Sequence, residues 1–244
     1  MNLKNNTILI TGGTAGLGLA FAKEFYKLGN KVIICGRRED RLKSLAEKFP
    51  GLITKACDVS KEQDRIELAK WAISNFGDLN ILMNNAGVQL AFNIGNEDEN
   101  HKISTEANTN FIAPIHLSSL FINHLKNKEG SAIINITSGL AFVPLAFCPV
   151  YCATKAGLHS FTLSLRRQLR DTKTKVFEIA PPAVDTELGY QNRTDVNQSH
   201  GGMKIEDFLS EAMEALANDL LEAPIANAKN MRALNEQLFD KMNP

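Results

Sequence analysis

The stretch TILITGGTAGLG at residues 7–18 decides the fold of this chain. Its β-branched and apolar start predicts a buried strand over residues 7–10. Helical spacing follows over residues 17–28 and ends at Gly29, a residue type that often terminates helices. Small residues between a strand and a helix let the backbone approach a phosphate group, and the helix N-terminus offers unpaired N–H groups. We therefore interpret this turn as a nucleotide-binding site, against the alternative of a tight packing turn.

Strand and helix patterns alternate along the rest of the chain. Apolar runs predict strands at residues 31–35, 52–56, 79–83, 132–137 and 175–179. Amphipathic runs predict helices at residues 39–49, 61–76, 103–126, 150–170, 206–221 and 227–241, and no seventh strand is evident near the end. Such alternation requires right-handed crossovers and a parallel sheet. The predicted fold class is α/β: a doubly wound parallel sheet with helices on both faces, in a single domain over residues 1–244.

The bulk composition excludes several classes of function. The 244 residues carry 27 Lys and Arg against 27 Asp and Glu, so the formal net charge is zero. A chain without a basic surface is a poor partner for nucleic acid or anionic membranes. The four cysteines lack CxxC or zinc spacing and the five histidines form no paired motif, so we predict no metal site. With no apolar leader and no long apolar span, we expect a soluble, cytoplasmic protein.

Two arginines follow the second predicted strand. Arg37 and Arg38 lie where the adenosine ribose of a dinucleotide is expected, and no carboxylate occupies that stretch. An acidic residue there binds the ribose 2′-hydroxyl of NAD, whereas an arginine pairs with the 2′-phosphate of NADP. The sequence therefore favours NADP(H), with NAD(H) possible and a solvated charge pair as the structural alternative.

Two further polar motifs follow strands at the carboxyl edge of the predicted sheet. Asp58 can accept a hydrogen bond from an adenine amino group or cap the next helix, although Ser60 is the better cap. The NNAG run at residues 84–87 follows the fourth strand. Ligands bind open α/β sheets at this edge, so we favour a ligand site over a plain asparagine-rich turn.

Tyr151 and Lys155 are the candidate catalytic pair. They lie one helical turn apart, so their side chains face the same pocket. Free tyrosine has a pKa of about 10, and a nearby ammonium group lowers that value by favouring the phenolate. Ser138, at the end of the fifth strand, can donate a hydrogen bond to a substrate carbonyl oxygen. The alternative is that Tyr151 packs at the helix start while Lys155 is solvated.

Other conspicuous residues receive structural roles. Cys148 and Cys152 flank Tyr151 and are expected to form the pocket wall rather than to act as nucleophiles. The apolar run at residues 140–149 is expected to line a substrate pocket. The polar stretch at residues 186–202 suggests a lid over the site, which we place at residues 186–204. Trp71 is expected in the core.

Together, these motifs resemble the short-chain dehydrogenase/reductase family, in its compact branch. The resemblance covers residues 5–189 and implies a Rossmann-type domain that transfers hydride between nicotinamide and a carbonyl or secondary alcohol. By this likeness Tyr151 is the general acid/base, Ser138 orients the carbonyl, and Lys155 lowers the tyrosine pKa and binds the nicotinamide ribose. Asn110 matches the family asparagine that holds a proton-relay water.

The resemblance completes the set of candidate site residues. The catalytic candidates are Asn110, Ser138, Tyr151 and Lys155. The cofactor-binding candidates are Gly12, Thr14, Gly16, Leu17, Gly18, Arg37, Arg38, Asp58, Val59, Asn85, Ala86, Gly87, Tyr151, Lys155, Pro181, Val184 and Thr186. Of these, Thr186 matches the family threonine that contacts the nicotinamide carboxamide.

The chain departs from the family pattern at two places. Pro182 stands where the family usually has glycine, which stiffens the backbone and removes an N–H group. The run PPAVDT at residues 181–186 looks like a bacterial subgroup that includes the oxidoreductase associated with D-alanylation of teichoic acid. The tail lacks the family's usual last strand and glycine-rich ending, which puts a tetramer in doubt. We expect a homodimer through the helices at residues 103–126 and 150–170.

The predicted function is that of an NADP(H)-preferring oxidoreductase acting on a small-molecule carbonyl or alcohol. The alternative from another class is an NADP(H)-sensing binding protein without turnover. Such proteins commonly lose the catalytic tyrosine or lysine, whereas this chain keeps all four catalytic positions. An epimerase or dehydratase on the same scaffold would usually need a longer C-terminal substrate domain.

Overall fold

A seven-stranded parallel sheet forms the centre of the computed structural model, which describes residues 1–189 and 201–244. The spatial order is β3-β2-β1-β4-β5-β6-β7, and every neighbouring pair is parallel. The strands are β1 Thr7–Thr11, β2 Lys31–Gly36, β3 Ile53–Ala56, β4 Ile81–Asn84, β5 Ala132–Ile136, β6 Lys175–Ala180 and β7 Glu222–Pro224. The predicted α/β class with a parallel sheet is confirmed.

Helices cover both faces of this sheet. They are α1 Gly16–Lys27, α2 Glu39–Lys48, α3 Glu62–Asn75, α4 His101–Glu106, α5 Ala113–Leu125, α6 Pro149–Gln168, α7 Ile205–Ala217, α8 Ala228–Leu234 and α9 Phe239–Met242. Among the described helices, none combines the length and apolar character that a membrane crossing needs.

The alternation of side chains in β1 produces two hydrophobic cores. Ile8 and Ile10 belong to one core, together with Phe208 of α7. Leu9 belongs to the other, together with Phe121 of α5. Each of these side chains is fully buried, and burial of one such side chain stabilises the fold by about 1.5–3 kcal/mol. Both faces of the sheet are therefore apolar, as in other parallel sheets covered by helices.

The direction of strand addition reverses at β1. The chain builds β2 and β3 outward on one side of β1 and then crosses to its other side to form β4. The loops that follow β1 and β4 therefore diverge at the carboxyl edge of the sheet and leave a crevice, which is the usual ligand position in open α/β sheets.

The helix predicted at residues 103–126 is interrupted by a wide turn. A π-helical segment at Ala107–Ile112 separates α4 from α5. Pro114 has no N–H group and cannot donate to the carbonyl of Asn110 four residues earlier, so a regular α-helical hydrogen bond is missing there. The wide turn contains Asn110, one of the catalytic candidates.

Three predictions near the surface and the C-terminus are wrong. A seventh strand does exist, because Ala223 in β7 pairs with Ile179 in β6. The sequence pattern did not reveal β7, because this strand is only three residues long and ends in proline. Proline is tolerated there because β7 is an edge strand. The helix predicted at residues 227–241 breaks at Asn235, whose φ of 48° lies in the left-handed region. Trp71 is half-buried at the edge of a core rather than inside it.

Candidate active site

The carboxyl ends of the strands enclose a cleft of about 380 Å³. Every predicted cofactor-binding residue lines this cleft, and so does Ser138. Asn110 lies behind its wall. The lining also includes Glu187 and Leu188 of the predicted lid, and residues that the sequence did not point to, among them Gly36, Cys57, Gln89 and Thr109.

The glycine turn after β1 is packed too closely for side chains. A Cβ atom on Gly12, whose φ is 67°, would lie 2.8 Å from the Cα of Ala86. A Cβ on Gly18 would lie 2.4 Å from the carbonyl oxygen of Gly12. Packing alone therefore requires glycine at both positions, so the structural alternative is part of the explanation. Ala15, the N-cap residue of α1, has no side-chain oxygen for the first N–H groups, which are available to a bound anion.

Hydrogen bonds join the glycine turn to the loop after β4. The Thr11 Oγ1 atom accepts from the backbone N–H groups of Asn85 at 3.0 Å and Ala86 at 3.1 Å. The Asn85 Nδ2 atom donates to the Thr11 carbonyl at 2.9 Å. The asparagine motif is therefore a brace for the floor of the cleft, in addition to lining it.

A carboxylate bridges two arginines at the rim of the cleft. The Arg38 Nη1 atom lies 3.0 Å from Glu187 Oε2, and Arg41 Nη1 lies 2.7 Å from Glu187 Oε1. Arg38 also donates to Thr14 Oγ1 at 3.3 Å. Burial raises the pKa of Glu187, but hydrogen bonds from Arg41 and Arg38 outweigh it and hold that pKa below its ordinary value. Arg37 is exposed beside this cluster.

Asp58 lines the cleft while it also holds a turn. Its Oδ1 atom accepts from the Ser60 backbone N–H at 3.1 Å and from the Ser60 hydroxyl at 2.8 Å. The N-cap residue of α3 is Lys61, so the expectation that Ser60 caps this helix is wrong. Asp58 does not cap α3 either, because its carboxylate holds the turn at Ser60 before the helix begins.

Tyr151, Ser138 and Lys155 meet in the wall of the cleft. Ser138 lies close enough to Tyr151 to oppose the rise of its pKa, and the Ser138 Oγ atom accepts from the Leu140 N–H at 3.1 Å. Lys155 Nζ donates to the Ile136 carbonyl at 2.8 Å and lies 5.7 Å from the centre of the Tyr151 ring. Tyr151 is 5% exposed and Lys155 is 4% exposed. The alternative of a solvated Lys155 is therefore wrong.

Burial controls the protonation of this pair. It raises the pKa of the Tyr151 phenol well above its ordinary value, and the hydrogen bond from Ser138 opposes that shift only partly. Burial lowers the pKa of Lys155 to about 8. The expectation that Lys155 lowers the tyrosine pKa is not met here, because desolvation of the phenolate is the largest cause of its pKa shift and Lys155 is not among the groups that oppose it. At neutral pH the phenol is protonated and can donate a hydrogen bond or a proton.

Asn110 fastens the segment after β4 to the helices beside it. Its Oδ1 atom accepts from the Val88 N–H at 2.9 Å, and its Nδ2 atom donates to the Val88 carbonyl at 2.8 Å. The same Nδ2 atom donates to Thr154 Oγ1 on α6 at 3.2 Å. Asn110 thus fixes the loop that lines the cleft relative to the helix that carries Tyr151.

Two further side chains before Asn110 hold the same segment after β4. Glu106, four residues before Asn110, accepts from the Leu90 N–H at 2.8 Å. Lys102, four residues earlier again, donates to the Ala91 carbonyl at 2.8 Å. Side chains at helical spacing thus form hydrogen bonds with backbone groups of residues 88–91, which belong to none of the described strands. Sequence reasoning missed Lys102 and Glu106, although their spacing from Asn110 was the available signal.

Glu106 and two cysteines lie close to the buried side of Tyr151. The Glu106 Oε2 atom is buried and has no hydrogen-bond partner among the described residues, and burial raises the pKa of this carboxyl to about 7. Cys148 Sγ lies 3.8 Å from Cys152 Sγ, and both thiols pack with Tyr151 in a small buried cluster. Among the described residues neither cysteine belongs to the cleft lining, and Cys148 lies behind it as an acceptor from Gln89, which does line the cleft.

The predicted substrate wall does not line the cleft among the described residues, and the structure describes only part of the predicted lid. As far as residues 1–189 and 201–244 define it, the cleft lining includes no residue of the run 140–149. Phe142 and Val143 pack instead against Ala180 and Met231. Most of the predicted lid, residues 190–200, lies outside the described part of the chain. Described residues on either side of it are hydrogen-bonded, since the Asp185 N–H donates to the Met203 carbonyl at 2.9 Å.

A buried polar network supports the strand end that carries Ser138. Thr137 Oγ1 donates to Glu178 Oε1 at 2.8 Å, and His159 Nδ1 lies 2.9 Å from the same carboxylate. Glu222 comes close enough that its oxygen and the ligand atoms of Glu178 and His159 lie within 4.8 Å of one another. It is already paired with Arg232 at 2.6 Å. A glutamate inside the apolar strand β6 was the sequence signal for this network.

We predict that Glu106→Gln makes stability less dependent on pH. The unfolded carboxyl ionises near pH 4.3, whereas burial raises the folded pKa to about 7. Between these values the folded state binds more protons, so the free energy of unfolding of the unmodified protein falls as pH rises. The variant should be more stable by about 1–3 kcal/mol at pH 8, with little difference near pH 4.5.

Urea unfolding between pH 4.5 and pH 8 measures this difference. Glu47→Gln, a change of the same kind at an exposed position of α2, serves as the matched control and should follow the unmodified protein. Parallel pH profiles for the Glu106→Gln variant and the unmodified protein would contradict the prediction.

Comparisons with known proteins identify the family. The family model described as short chain dehydrogenase matches residues 6–197. The uncharacterized oxidoreductase DltE of Bacillus subtilis is 45% identical over 249 residues, covering 100% of this chain and 98% of that protein. The NADP-dependent 3-hydroxy acid dehydrogenase YdfG of Salmonella typhi is 32% identical over 178 residues, 72% of each protein.

A solved structure agrees with the fold. The crystal structure of a short chain dehydrogenase/reductase from Burkholderia phymatum in complex with NAD matches with a TM-score of 0.87 and 20% identity, over 100% of this chain and 97% of that one. The full-length match to DltE also confirms the bacterial subgroup predicted from the run at residues 181–186. This chain therefore belongs to the short-chain dehydrogenase/reductase family of oxidoreductases.

Proposed function

We propose that this protein is an NADP(H)-preferring oxidoreductase that transfers hydride between a nicotinamide cofactor and a carbonyl or secondary alcohol. The observation that carries the proposal is the buried phenol of Tyr151, which lines the cleft together with Ser138 and lies one helical turn from Lys155. The side chains of Tyr151, Ser138 and Lys155 line the same cleft, whose floor is formed by the backbone of the glycine turn. That arrangement suits proton transfer to a substrate oxygen.

The residues of the cleft fit a dinucleotide. The compact turn at Gly12 and Gly18 presents backbone instead of side chains, and the N-terminus of α1 supplies N–H groups for a pyrophosphate. Arg38 and Arg37 would face the adenosine ribose, and Lys155 would face the nicotinamide ribose. When bound, the nicotinamide supplies or accepts the hydride.

Tyr151 and Ser138 would manage the proton that accompanies the hydride. Ser138 Oγ donates a hydrogen bond to the substrate carbonyl oxygen, and Tyr151 donates the proton that this oxygen acquires on reduction. The raised pKa of Tyr151 keeps the phenol protonated at neutral pH, as a proton donor requires. Lys155 has a pKa of about 8, so its ammonium group exchanges a proton near neutral pH. It can thereby return a proton to the Tyr151 phenolate after Tyr151 has donated one. Asn110 acts as a positioning residue through Val88 and α6.

The NADP(H) preference rests on charge at the rim. Arg38 and Arg37 stand where a 2′-phosphate would lie, and an arginine guanidinium can form two parallel hydrogen bonds to a phosphate. The relative YdfG is named NADP-dependent, and we extend that preference to this chain. The redox-sensing alternative gains nothing from the comparisons, because the relatives named above are oxidoreductases.

We also propose a homodimer formed through α5 and α6, with its location in the cytoplasm. Leu163 on α6 is 41% exposed and Ile112 beside α5 is 40% exposed, so apolar side chains lie on the outer faces of these helices. The four cysteines are free buried thiols, which fits the reducing interior of a cell.

We predict that Tyr151→Phe abolishes most turnover while NADPH still binds. The change removes the hydroxyl and keeps the ring, so the rate should fall by about a hundred- to ten-thousand-fold, the range expected for loss of a general acid. NADPH oxidation across a panel of carbonyl compounds measures turnover, and fluorescence titration measures NADPH affinity.

Tyr26→Phe is the matched control, because Tyr26 packs against Phe49 away from the cleft. It should keep full activity. A Tyr151→Phe protein that turns over at the normal rate would overturn the mechanism.

We predict that the unmodified protein binds NADPH more tightly than NADH. Arg38→Gln and Arg37→Gln should each weaken NADPH binding by about ten- to a hundredfold, since a hydrogen bond to a charged group contributes about 1.5–3 kcal/mol. Their affinity for NADH should change little, because NADH has no 2′-phosphate. Arg167→Gln, exposed near the end of α6, is the control. Equal loss of NADPH and NADH affinity would argue against the proposed role of the arginines.

We predict that Leu163→Arg converts the dimer into a monomer. A charge in the centre of an apolar contact must be desolvated without a partner, which is costly. Light scattering coupled to gel filtration measures the mass. Leu220→Arg, at a position 52% exposed outside α5 and α6, is the matched control and should remain dimeric. A monomeric unmodified protein would refute the assembly.

A further inference from the structure

The carboxylate of Glu187 occupies the guanidinium groups at the rim of the cleft. Its two oxygens accept three hydrogen bonds, from Arg38 Nη1 at 3.0 Å and from Arg41 Nη1 at 2.7 and 2.8 Å. Arg38 uses its other terminal nitrogen to donate to Thr14 Oγ1. A single anion is therefore coordinated by two cations and sits within reach of the glycine turn.

These groups come from three separate parts of the fold. Thr14 follows β1, Arg38 and Arg41 follow β2, and Glu187 follows β6. Arg38 and Glu187 are separated by 149 residues in sequence and meet only because their strands end at the same edge of the sheet. The contact is thus a property of the assembled cleft.

We propose that Glu187 is a built-in competitor for the 2′-phosphate of NADP(H), and hence a residue that sets the balance between NADP(H) and NAD(H). This inference rests on the proposed NADP(H) preference. The guanidinium nitrogens that hold the carboxylate are donors that suit a phosphate, and a phosphate oxygen cannot share them at full strength. A bound 2′-phosphate would also lie close to the carboxylate, and two anions there repel each other. Both effects weaken NADP(H) binding.

The strength of this competition is limited by exposure. Glu187, Arg38 and Arg41 have side chains that are 36%, 46% and 43% exposed. Ion pairs that are this exposed are weak, so the carboxylate reduces the apparent affinity for NADP(H) by about two- to tenfold and does not block binding. NAD(H) has no 2′-phosphate and therefore has no need to displace Glu187. The protein therefore prefers NADP(H) over NAD(H) by a smaller factor than the arginines alone would give.

Glu187→Gln tests the inference through equilibrium binding. The variant keeps the size of the side chain and removes its charge. We expect its dissociation constant for NADPH to fall by about two- to tenfold, with no gain for NADH. Adenosine 2′-monophosphate should gain affinity as NADPH does, whereas adenosine 5′-monophosphate should not. Fluorescence titration or calorimetry gives these constants without turnover, and thermal unfolding checks that the variant is folded.

A control variant separates the direct contact of Glu187 with the arginines from the general effect of a negative charge near the cleft. Glu39→Gln removes a carboxylate from the first turn of α2, next to Arg38 in sequence, where it is exposed. It should change NADPH affinity less than Glu187→Gln does. In the Glu187→Gln background, Arg41→Gln should reverse part of the gain, because Arg41 is one of the two cations that the substitution frees.

The outcomes distinguish the inference from the function it rests on. An unmodified protein that binds NADPH no more tightly than NADH overturns the proposed preference and the inference with it. A protein that prefers NADPH, but whose Glu187→Gln variant binds NADPH equally or less tightly, overturns the inference alone. Equal gains for NADPH and NADH, or an equal gain in Glu39→Gln, would also overturn it.

Discussion

The hydrogen bonds between Thr11 and the loop after β4 are the constraint on which the rest of the site depends. At the point where the strand order reverses, the backbone groups at the ends of β1 and β4 lose their strand partners and must be satisfied elsewhere. Thr11 Oγ1 accepts from two N–H groups of the neighbouring loop, and Asn85 returns a bond to the Thr11 carbonyl. This exchange fixes the distance between the loops, and that distance in turn excludes a side chain at Gly12. The open floor of the cleft follows from it.

The catalytic candidates are placed against this floor by a helix that buries a cation. Lys155 donates to a backbone carbonyl, that of Ile136, and a carbonyl dipole compensates an ammonium charge less fully than a carboxylate would. Its pKa therefore falls to about 8, while burial also raises the pKa of Tyr151. Burial thus moves both groups toward their neutral forms. A phenol that is kept neutral is a proton donor, and an amine poised near neutrality can exchange protons with its surroundings.

Features that depend on neighbours in sequence could be predicted, and features that depend on distant segments could not. Six of the strands, most helices, the glycine turn and the spacing of Tyr151 and Lys155 are local sequence patterns. The sequence was therefore sufficient for the fold class and for the predicted cofactor-binding residues, all of which line the cleft. β7 carries too little pattern in three residues, and its place is decided by pairing with β6. The positions of the two thiols behind Tyr151 and of Glu187 over Arg38 depend on how separate elements pack. No local signal encodes them.

Exposure explains why charges are treated differently in different parts of the site. At the rim, water screens each group, and Arg38, Arg41 and Glu187 keep their charges as a three-membered ion cluster. In the interior, Glu106 and Lys155 have no opposite charge at hydrogen-bonding distance among the described residues, and their pKa values shift toward neutrality instead. A ligand that brings charge to this cleft therefore meets two different responses. At the rim it exchanges one ion pair for another, whereas in the interior it changes protonation. Under the proposed function, the exposed rim serves recognition of the anion and the buried interior serves proton transfer.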